Sequence, residues 1–504
     1  MISNAMIIEH HSTSPQSTGH FAQELSLWSR PGQCILLSGD LGSGKSTFAR
    51  AFIRALANDD RDFDIPSPTF SIIQSYEQLR TPVAHIDLYR MQSSAEVDEL
   101  GLGEFLDGHV LLVEWPEKFP KDISQDCLSI EISGSGETRV LAVEASGSWK
   151  ALLTRNGVIN NFIKNSKLRG GRRSFLEGDA SSRRYESVTS PQSTALLMDM
   201  PKRPDGPIVK DNKTYSAIAH LAEGIGAVAG INDYLFKLGF SVPEIFDLDL
   251  ENGLALIEPL GTQVYGKMML HGDDMREPMR AAVDVLADMA NREWPTVVPI
   301  RDKAEHHIAS YDLSAMVIEV DLLPSWYWPH TKNSKLPDEV HAQFTSLWEK
   351  LITKLETDHP VWTLRDYHSP NLLWMPEREG VRRVGLIDAQ DCVMGHPAYD
   401  LVSMLQDARV DIDFKFAGEL FDYYCSLKST AKNFNQAGFT QDFAILGAQR
   451  ATKILGIFAR LFKRDGKPAY LKHIPRVSRY LARNLAHPAL AELKDWHDQY
   501  LPVA

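Results

Sequence analysis

The 504-residue sequence is poor in cysteine: it holds only four, Cys34, Cys127, Cys392 and Cys425, and none forms a CxxC pair. That excludes a disulfide framework and a thiolate zinc site, and fits a reducing compartment. Long hydrophobic runs are missing too. No stretch of about 18 apolar residues occurs, so no membrane-spanning helix is expected. The N-terminus lacks a charged segment followed by an apolar one, so no secretory signal is expected and the cytoplasm is the expected location. Positive charge is in deficit, with 53 Lys and Arg against 66 Asp and Glu and a net charge of -13. A dedicated nucleic-acid binder needs clustered cations to release counterions, so any such contact is expected to be indirect or weak. No solenoid repeat is visible.

What remains is the composition of a globular protein, 43% hydrophobic and 24% charged. At roughly 100–200 residues per domain the length predicts two to four domains. Residues 6–150 read as a small α/β domain. Cys34-Ile-Leu-Leu-Ser38 is a short apolar run of the kind found in buried parallel strands, and Thr47 to Ala57 has helical period. Further strands are expected at 82–86, 110–113, 127–132 and 139–143, the last two joined as a hairpin through Gly134-Ser-Gly136. Residues 151–175 carry Lys164, Lys167, Arg169, Arg172 and Arg173 and read as a basic linker, with RNA contact as the alternative. Residues 176–504 form the second domain, with a mixed N-lobe at 176–262 and a mostly helical C-lobe at 263–504. Strands are expected there at 195–198 and 254–257, and a helix at 218–238.

Gly39-Asp-Leu-Gly-Ser-Gly-Lys45-Ser46 matches G-x-x-x-x-G-K-[ST] and lies between a predicted strand and a predicted helix, the context that gives the motif meaning. Glycines let backbone N–H groups turn inward around phosphate oxygens, and the helix points its positive end at the anion. Gly39, Asp40, Leu41, Gly42, Ser43, Gly44, Lys45, Ser46 and Thr47 are therefore the expected ATP cradle. Lys45 reaches the β- and γ-phosphates and the Ser46 hydroxyl ligates Mg²⁺. Asp87 and Glu114 each follow an apolar run, at strand C-terminal ends where α/β folds bind ligands.

Together with Ser67-Pro-Thr-Phe70, His85-Ile-Asp-Leu-Tyr-Arg90, Glu99-Leu-Gly-Leu102 and Val113-Glu-Trp-Pro-Glu117, the P-loop resembles the TsaE family over about residues 10–145. The resemblance implies an ATPase needed to make threonylcarbamoyladenosine in tRNA, accessory to a TsaB–TsaD transferase complex. It also implies that Thr69 sits in a switch-like loop near the γ-phosphate, that Asp87 is the Walker B carboxylate, and that Glu114 is a second essential acid near Mg²⁺.

A second chemical pattern lies downstream. Leu364-Arg-Asp366-Tyr-His-Ser-Pro-Asn371 has the R-D-x-x-x-x-N spacing of a phosphotransferase loop. An Asp accepts or orients the acceptor's hydroxyl proton, and an Asn five residues on folds back to a metal ion. Asp388, after the apolar run Val384-Gly-Leu-Ile387, stands where a second metal-binding acid belongs. Ala389-Gln390 follows it in place of Phe-Gly, which excludes a eukaryotic protein kinase.

These segments, with Gly178-Asp-Ala-Ser-Ser-Arg-Arg-Tyr185, Leu197-Met-Asp-Met-Pro201 and Leu256-Ile-Glu-Pro-Leu-Gly261, resemble the AmgK family over about residues 172–485. That family lies within the aminoglycoside and choline phosphotransferases. The resemblance implies a bilobal, protein-kinase-like α+β fold and phosphorylation of an amino sugar, N-acetylmuramate or N-acetylglucosamine, at its anomeric hydroxyl. By the same resemblance Asp366 is the catalytic base, Asn371 and Asp388 hold Mg²⁺, Ser181, Ser182 and Arg183 cover the phosphates, and Glu258 lies in the adenine-facing hinge. The strand at 195–198 carries no Lys where a kinase places one. Lys202 and Arg184 are both candidates to supply that charge. Two alternatives stay open: another alcohol acceptor, such as choline or an aminoglycoside, and a non-catalytic nucleotide-binding scaffold. His368 either contacts the transferred group or braces the loop. The aromatic cluster Trp326, Tyr327, Trp328 and His330 either stacks on sugar or packs in the core.

Overall fold

A computed structural model describes residues 6–57, 63–120, 123–176, 183–202, 206–301, 304–355, 359–429 and 434–503. The chain divides into two compact units, Met1–Met198 and Asp199–Ala504.

In the first unit seven strands form one mixed sheet: β1 (Met6–Ser12), β2 (Cys34–Ser38), β3 (Ile73–Tyr76), β4 (Val83–Asp87), β5 (Val110–Glu114), β6 (Cys127–Ser133) and β7 (Arg139–Ala145). Their order is β1-β7-β6-β2-β5-β4-β3. β2 runs parallel to β5 and β6, and β4 parallel to β5, while the outer pairs are antiparallel. β4 and β5 are buried along their whole length, which explains their near-continuous apolar sequence. The β6–β7 hairpin turns at Gly134, where φ is +115° and a Cβ would meet Thr138 O at 2.6 Å.

Helices Pro15–Ser26 and Lys45–Ala55 pack together, with the Phe21 and Phe48 rings edge to face at 6.5 Å, and Ala22, Leu25, Phe52 and Ile53 are buried as well. Phe48 and Phe52 are fully buried, each worth about 2–3 kcal/mol relative to exposure. The first helix starts cleanly because Ser14 Oγ accepts Ser17 N–H at 3.2 Å and Pro15 follows it.

The segment expected as a solvated basic linker is ordered structure. Trp149–Lys164 is a helix with Trp149, Leu153, Ile159 and Ile163 buried, and its apolar periodicity was hidden by the basic residues that follow. β8 (Arg172–Phe175) then pairs antiparallel with β9 (Arg184–Thr189), and β10 (Thr194–Asp199) lies next to β9. Arg173 is not a surface cation. Its guanidinium is buried, donates to both Glu186 oxygens at 2.6 and 3.0 Å, and reaches Asn156 Oδ1 at 2.5 Å. Trp28 Nε1 donates to the same Asn156 oxygen at 2.9 Å.

The second unit is α+β and mostly helical. An antiparallel hairpin, Ile245–Asp249 with Leu254–Ile257, and helix Ile225–Lys237 open it. The helix expected from 218 begins later, at Ile225, because a separate turn, Tyr215–Ile218, is capped by Thr214 and the chain runs extended at Gly224. The 30-residue helix Gln436–Asp465 runs through the core. Tyr327 and Trp328 are core residues and Trp326 packs against the same core, which favours packing over sugar stacking.

Candidate active sites

In the first unit the chain reverses out of β2 through Gly39, Gly42 and Gly44, with φ of +130°, +80° and +111°. Gly39 has a second constraint, because a Cβ there would lie 2.2 Å from Ile132 O. Arg139 on β7 holds the loop from outside, donating from Nε to Ser43 O at 2.6 Å. Lys45 Nζ donates to Gly39 O and Asp40 O at 2.8 and 2.9 Å and lies 3.6 Å from the Trp115 ring centroid. Burial pushes the Lys45 ammonium below its ordinary pKa, while Glu114, Glu117, Asp87 and Asp40 oppose the fall. Leu41 is exposed at the loop tip, and Thr47 is the third residue of the helix.

The acids meet through sheet register. Asp87 and Glu114 are paired positions at the ends of parallel β4 and β5. Ser46 Oγ donates to Glu114 Oε2 at 3.0 Å, and Thr69 Oγ1 donates to Asp87 Oδ2 at 2.9 Å. The other Glu114 oxygen lies 2.9 Å from His85 Nε2, with both side chains buried. A carboxylate only accepts, so Nε2 carries the hydrogen there. The set fits a nucleotide and a hard cation. Ser46, Asp87 and Glu114 supply oxygen donors suited to Mg²⁺, and Ser43 Oγ is buried in the cradle with no partner among the described residues.

In the second unit two short ladders carry the chemistry. Val361–Thr363 pairs with Val393–Gly395, and Leu372–Trp374 pairs with Val384–Leu386. The loop 364–371 connects the first strands of the two ladders. Arg365 and Asp388 both have positive φ, +68° and +67°, a backbone strain common at functional loops. Asp400 holds the loop by accepting Leu364 N–H and Arg365 N–H at 2.6 and 2.9 Å. Burial pushes its carboxyl up to about 7, against the pull of those two donors. The Arg365 guanidinium is buried against Glu319, which also accepts Lys453 Nζ at 2.8 Å and the Tyr311 hydroxyl.

Asp366 stands on this scaffold. Burial alone would raise its pKa, but His368, Lys453 and Arg365 outweigh it and hold the carboxyl below its ordinary range. Asn371 Nδ2 donates to Asp366 O at 3.1 Å. Ile387 N–H donates to Asn371 O at 3.1 Å, which sets Asp388 beside Asn371. Their side-chain oxygens suit a hard cation. His368 Nε2 lies 3.7 Å from Asp366 Oδ1, and His368 Nδ1 is buried without a partner among the described residues.

The remaining expected residues separate. Ser181 and Ser182 lie outside the described residues, and Arg183 is half-buried. Glu258 accepts from Arg378 at 3.3 Å and from Glu244 N–H at 3.3 Å, so its carboxylate is engaged locally. Arg184 stacks on Trp28 at 3.5 Å, donates to Leu27 O at 2.9 Å and pairs with Glu186 at 2.7 Å. That engagement argues against Arg184 as the source of the missing charge. Sequence reasoning gave no role to His85, Arg139, Glu319, Asp400 or Lys453. Only His85 lay inside a recognised motif; the others act across long sequence separations that periodicity does not reveal.

Residues 12–141 match the model of the family described as threonylcarbamoyl adenosine biosynthesis protein TsaE. Residues 172–434 match that of the phosphotransferase enzyme family. The chain is 36% identical to the N-acetylmuramate/N-acetylglucosamine kinase of Caulobacter vibrioides over 342 residues, 66% of this chain and 93% of that one. It is 30% identical to the kinase of the same name from Pseudomonas aeruginosa, over 62% of this chain and 84% of the relative. Its N-terminal part is 39% identical to the tRNA threonylcarbamoyladenosine biosynthesis protein TsaE of Rickettsia bellii, over 21% of this chain and 71% of the relative.

Proposed function

Because the chain belongs to the TsaE family over residues 12–141 and to the phosphotransferase enzyme family over residues 172–434, we propose that it joins two ATP-using activities. One is an ATPase serving threonylcarbamoyladenosine formation in tRNA with a TsaB–TsaD-type complex. The other is a kinase that phosphorylates an N-acetylated amino sugar at its anomeric hydroxyl, in cell-wall sugar salvage. The functional boundary falls within residues 151–175, which overlap the gap between the two family matches, and the location is the cytoplasm.

The observation that carries the kinase reading is the adjacency of Asp366, Asn371 and Asp388. The Asn371 amide reaches Asp366 O, and Ile387 N–H reaches Asn371 O. When bound, Mg-ATP supplies the phosphoryl group and the charge neutralisation that lets it move. Asp366 accepts the acceptor's hydroxyl proton, and its lowered pKa keeps it ionised for that task. In the first unit Lys45 and the loop backbone hold phosphates, while Ser46, Asp87 and Glu114 hold the cation. The missing strand lysine favours a nucleotide-binding scaffold, but a scaffold has no use for the complete Asp366, Asn371 and Asp388 set.

The test offers the full chain N-acetylmuramate, N-acetylglucosamine, choline and an aminoglycoside with Mg-ATP, and identifies products by mass and phosphorus NMR. An anomeric sugar phosphate is expected, lost in Asp366→Asn and kept in Lys45→Ala. Phosphocholine without sugar phosphate sinks the acceptor assignment, and ATP binding with no product from any acceptor moves the second unit to the scaffold reading.

A further inference from the structure

The second unit contains a cavity of about 430 Å³, within the size range of small-molecule sites. Two bonds tie the segment 219–222, which carries part of its wall, to the catalytic loops. Ala222 N–H donates to Asp391 Oδ1 at 2.6 Å, and Arg365 Nη1 donates to Ala219 O at 2.8 Å. Residues 220–224 line the cavity, as does Gln390, two positions beyond Asp388.

The lining has a distinct chemistry. Gln390 is 5% exposed, and its amide makes no hydrogen bond among the described residues. Its amide can both donate to and accept from a ligand in the cavity. Lys202 lines the cavity, is exposed, and pairs with no acid among the described residues. Helix Ile225–Lys237 starts at the cavity with Gly224 as its N-cap, has no side-chain cap, and brings Gly226 into the lining. Its first-turn N–H groups and its dipole favour an anion. His306 and His307 add hydrogen-bonding groups, and burial holds His306 below its ordinary pKa. Glu223 is the one acid among the described residues of the lining, and it is exposed.

We propose that this cavity is the acceptor-sugar site, in which Gln390 hydrogen-bonds the N-acetyl amide and Lys202, beside the uncapped helix start, recognises a carboxylate on the sugar. The inference rests on the sugar-kinase reading above and deepens it. Lys202 then sets preference between an anionic and a neutral N-acetyl sugar, and is a specificity residue, not a substitute for the absent strand lysine.

The experiment compares the full-length protein with Lys202→Met and Lys202→Arg, measuring kcat/KM for N-acetylmuramate and N-acetylglucosamine and KM for ATP. Lys202→Met is expected to lower kcat/KM for N-acetylmuramate by about ten-fold or more. N-acetylglucosamine turnover and the ATP KM stay within about two-fold, which also shows that the variant is folded. Lys202→Arg restores most of the anionic-sugar activity. Equal losses for both sugars with a raised ATP KM would assign Lys202 to the nucleotide and overturn the proposal. No change for either sugar overturns it too, as does a wild-type protein that phosphorylates only the neutral sugar. A wild-type protein that phosphorylates neither sugar fails at an earlier step and refutes the sugar-kinase reading itself.

Discussion

Ser46 Oγ donates to Glu114 Oε2 at 3.0 Å, joining the second residue of the P-loop helix to the last residue of β5. The bond places a hydroxyl and a carboxylate on one side of the phosphate cradle. Glu114→Gln is expected to lower phosphate release by the first unit about 100-fold or more. His85→Leu removes only the partner that orients Glu114, so its expected loss is smaller, about 10- to 100-fold. Both are measured in an Asp366→Asn background, so that the second unit contributes no turnover. A His85 variant weaker than the Glu114 variant would reverse the assigned order.

Gly39→Ala tests the cradle itself. The new Cβ meets Ile132 O at 2.2 Å on a backbone with φ of +130°. Nucleotide binding to the first unit, read by a fluorescent ATP analogue in a chain whose second site carries Asp366→Asn and Asp388→Asn, is expected to be lost. Gly103→Ala is the control, since a Cβ there meets nothing within 4 Å. Equal binding by the two variants would contradict the geometry.

Glu319 is a counter-charge for two cations, the buried Arg365 and the partly buried Lys453. These ion pairs hold the Glu319 carboxyl down at about 2, although burial alone would raise it. Glu319→Gln leaves both cations uncompensated, at an expected cost of about 3–5 kcal/mol. Calorimetry should show the second unit's transition several degrees lower with the first unit's unmoved. A melting profile unchanged from the wild type would show that the cluster contributes little.

The pH profile of sugar phosphorylation separates two acids. Asp366 is held below its ordinary range, so its proton-accepting form is already present at pH 5. It imposes no loss until pH falls below about 3.9. Asp400 is pushed up to about 7, so it gains its proton as pH falls through that value. Any acid limb in kcat/KM centred near 7 is therefore expected to vanish in Asp400→Asn. A limb that persists there is not due to Asp400, and His368→Gln tests the remaining neighbour.

Much of this was legible in the sequence because it is local. The P-loop is eight consecutive residues whose glycines answer to backbone geometry, and Asp366 and Asn371 lie five positions apart on one loop. The β2 run Cys34–Ser38 is buried on parallel neighbours, as its unbroken apolar character requires. The 151–175 segment misled because composition does not report burial. Its cations mark a solvated linker by count, yet Arg173 is buried against Glu186 and Asn156.

The sequence by itself determined which residue types are available and which of them stand close along the chain. That is enough for two phosphate-handling motifs, because their geometry is set by neighbouring φ and ψ angles. Tertiary structure decided what meets across distance: Glu114 with His85 and Ser46, Asp400 with the Leu364 and Arg365 amides, and Glu319 with Arg365 and Lys453. It also decided that Arg184 is engaged with Trp28 while Lys202 lines a cavity. The physical reason is that charge pairing and burial depend on separation in space, and a chain of this length brings together residues more than a hundred positions apart.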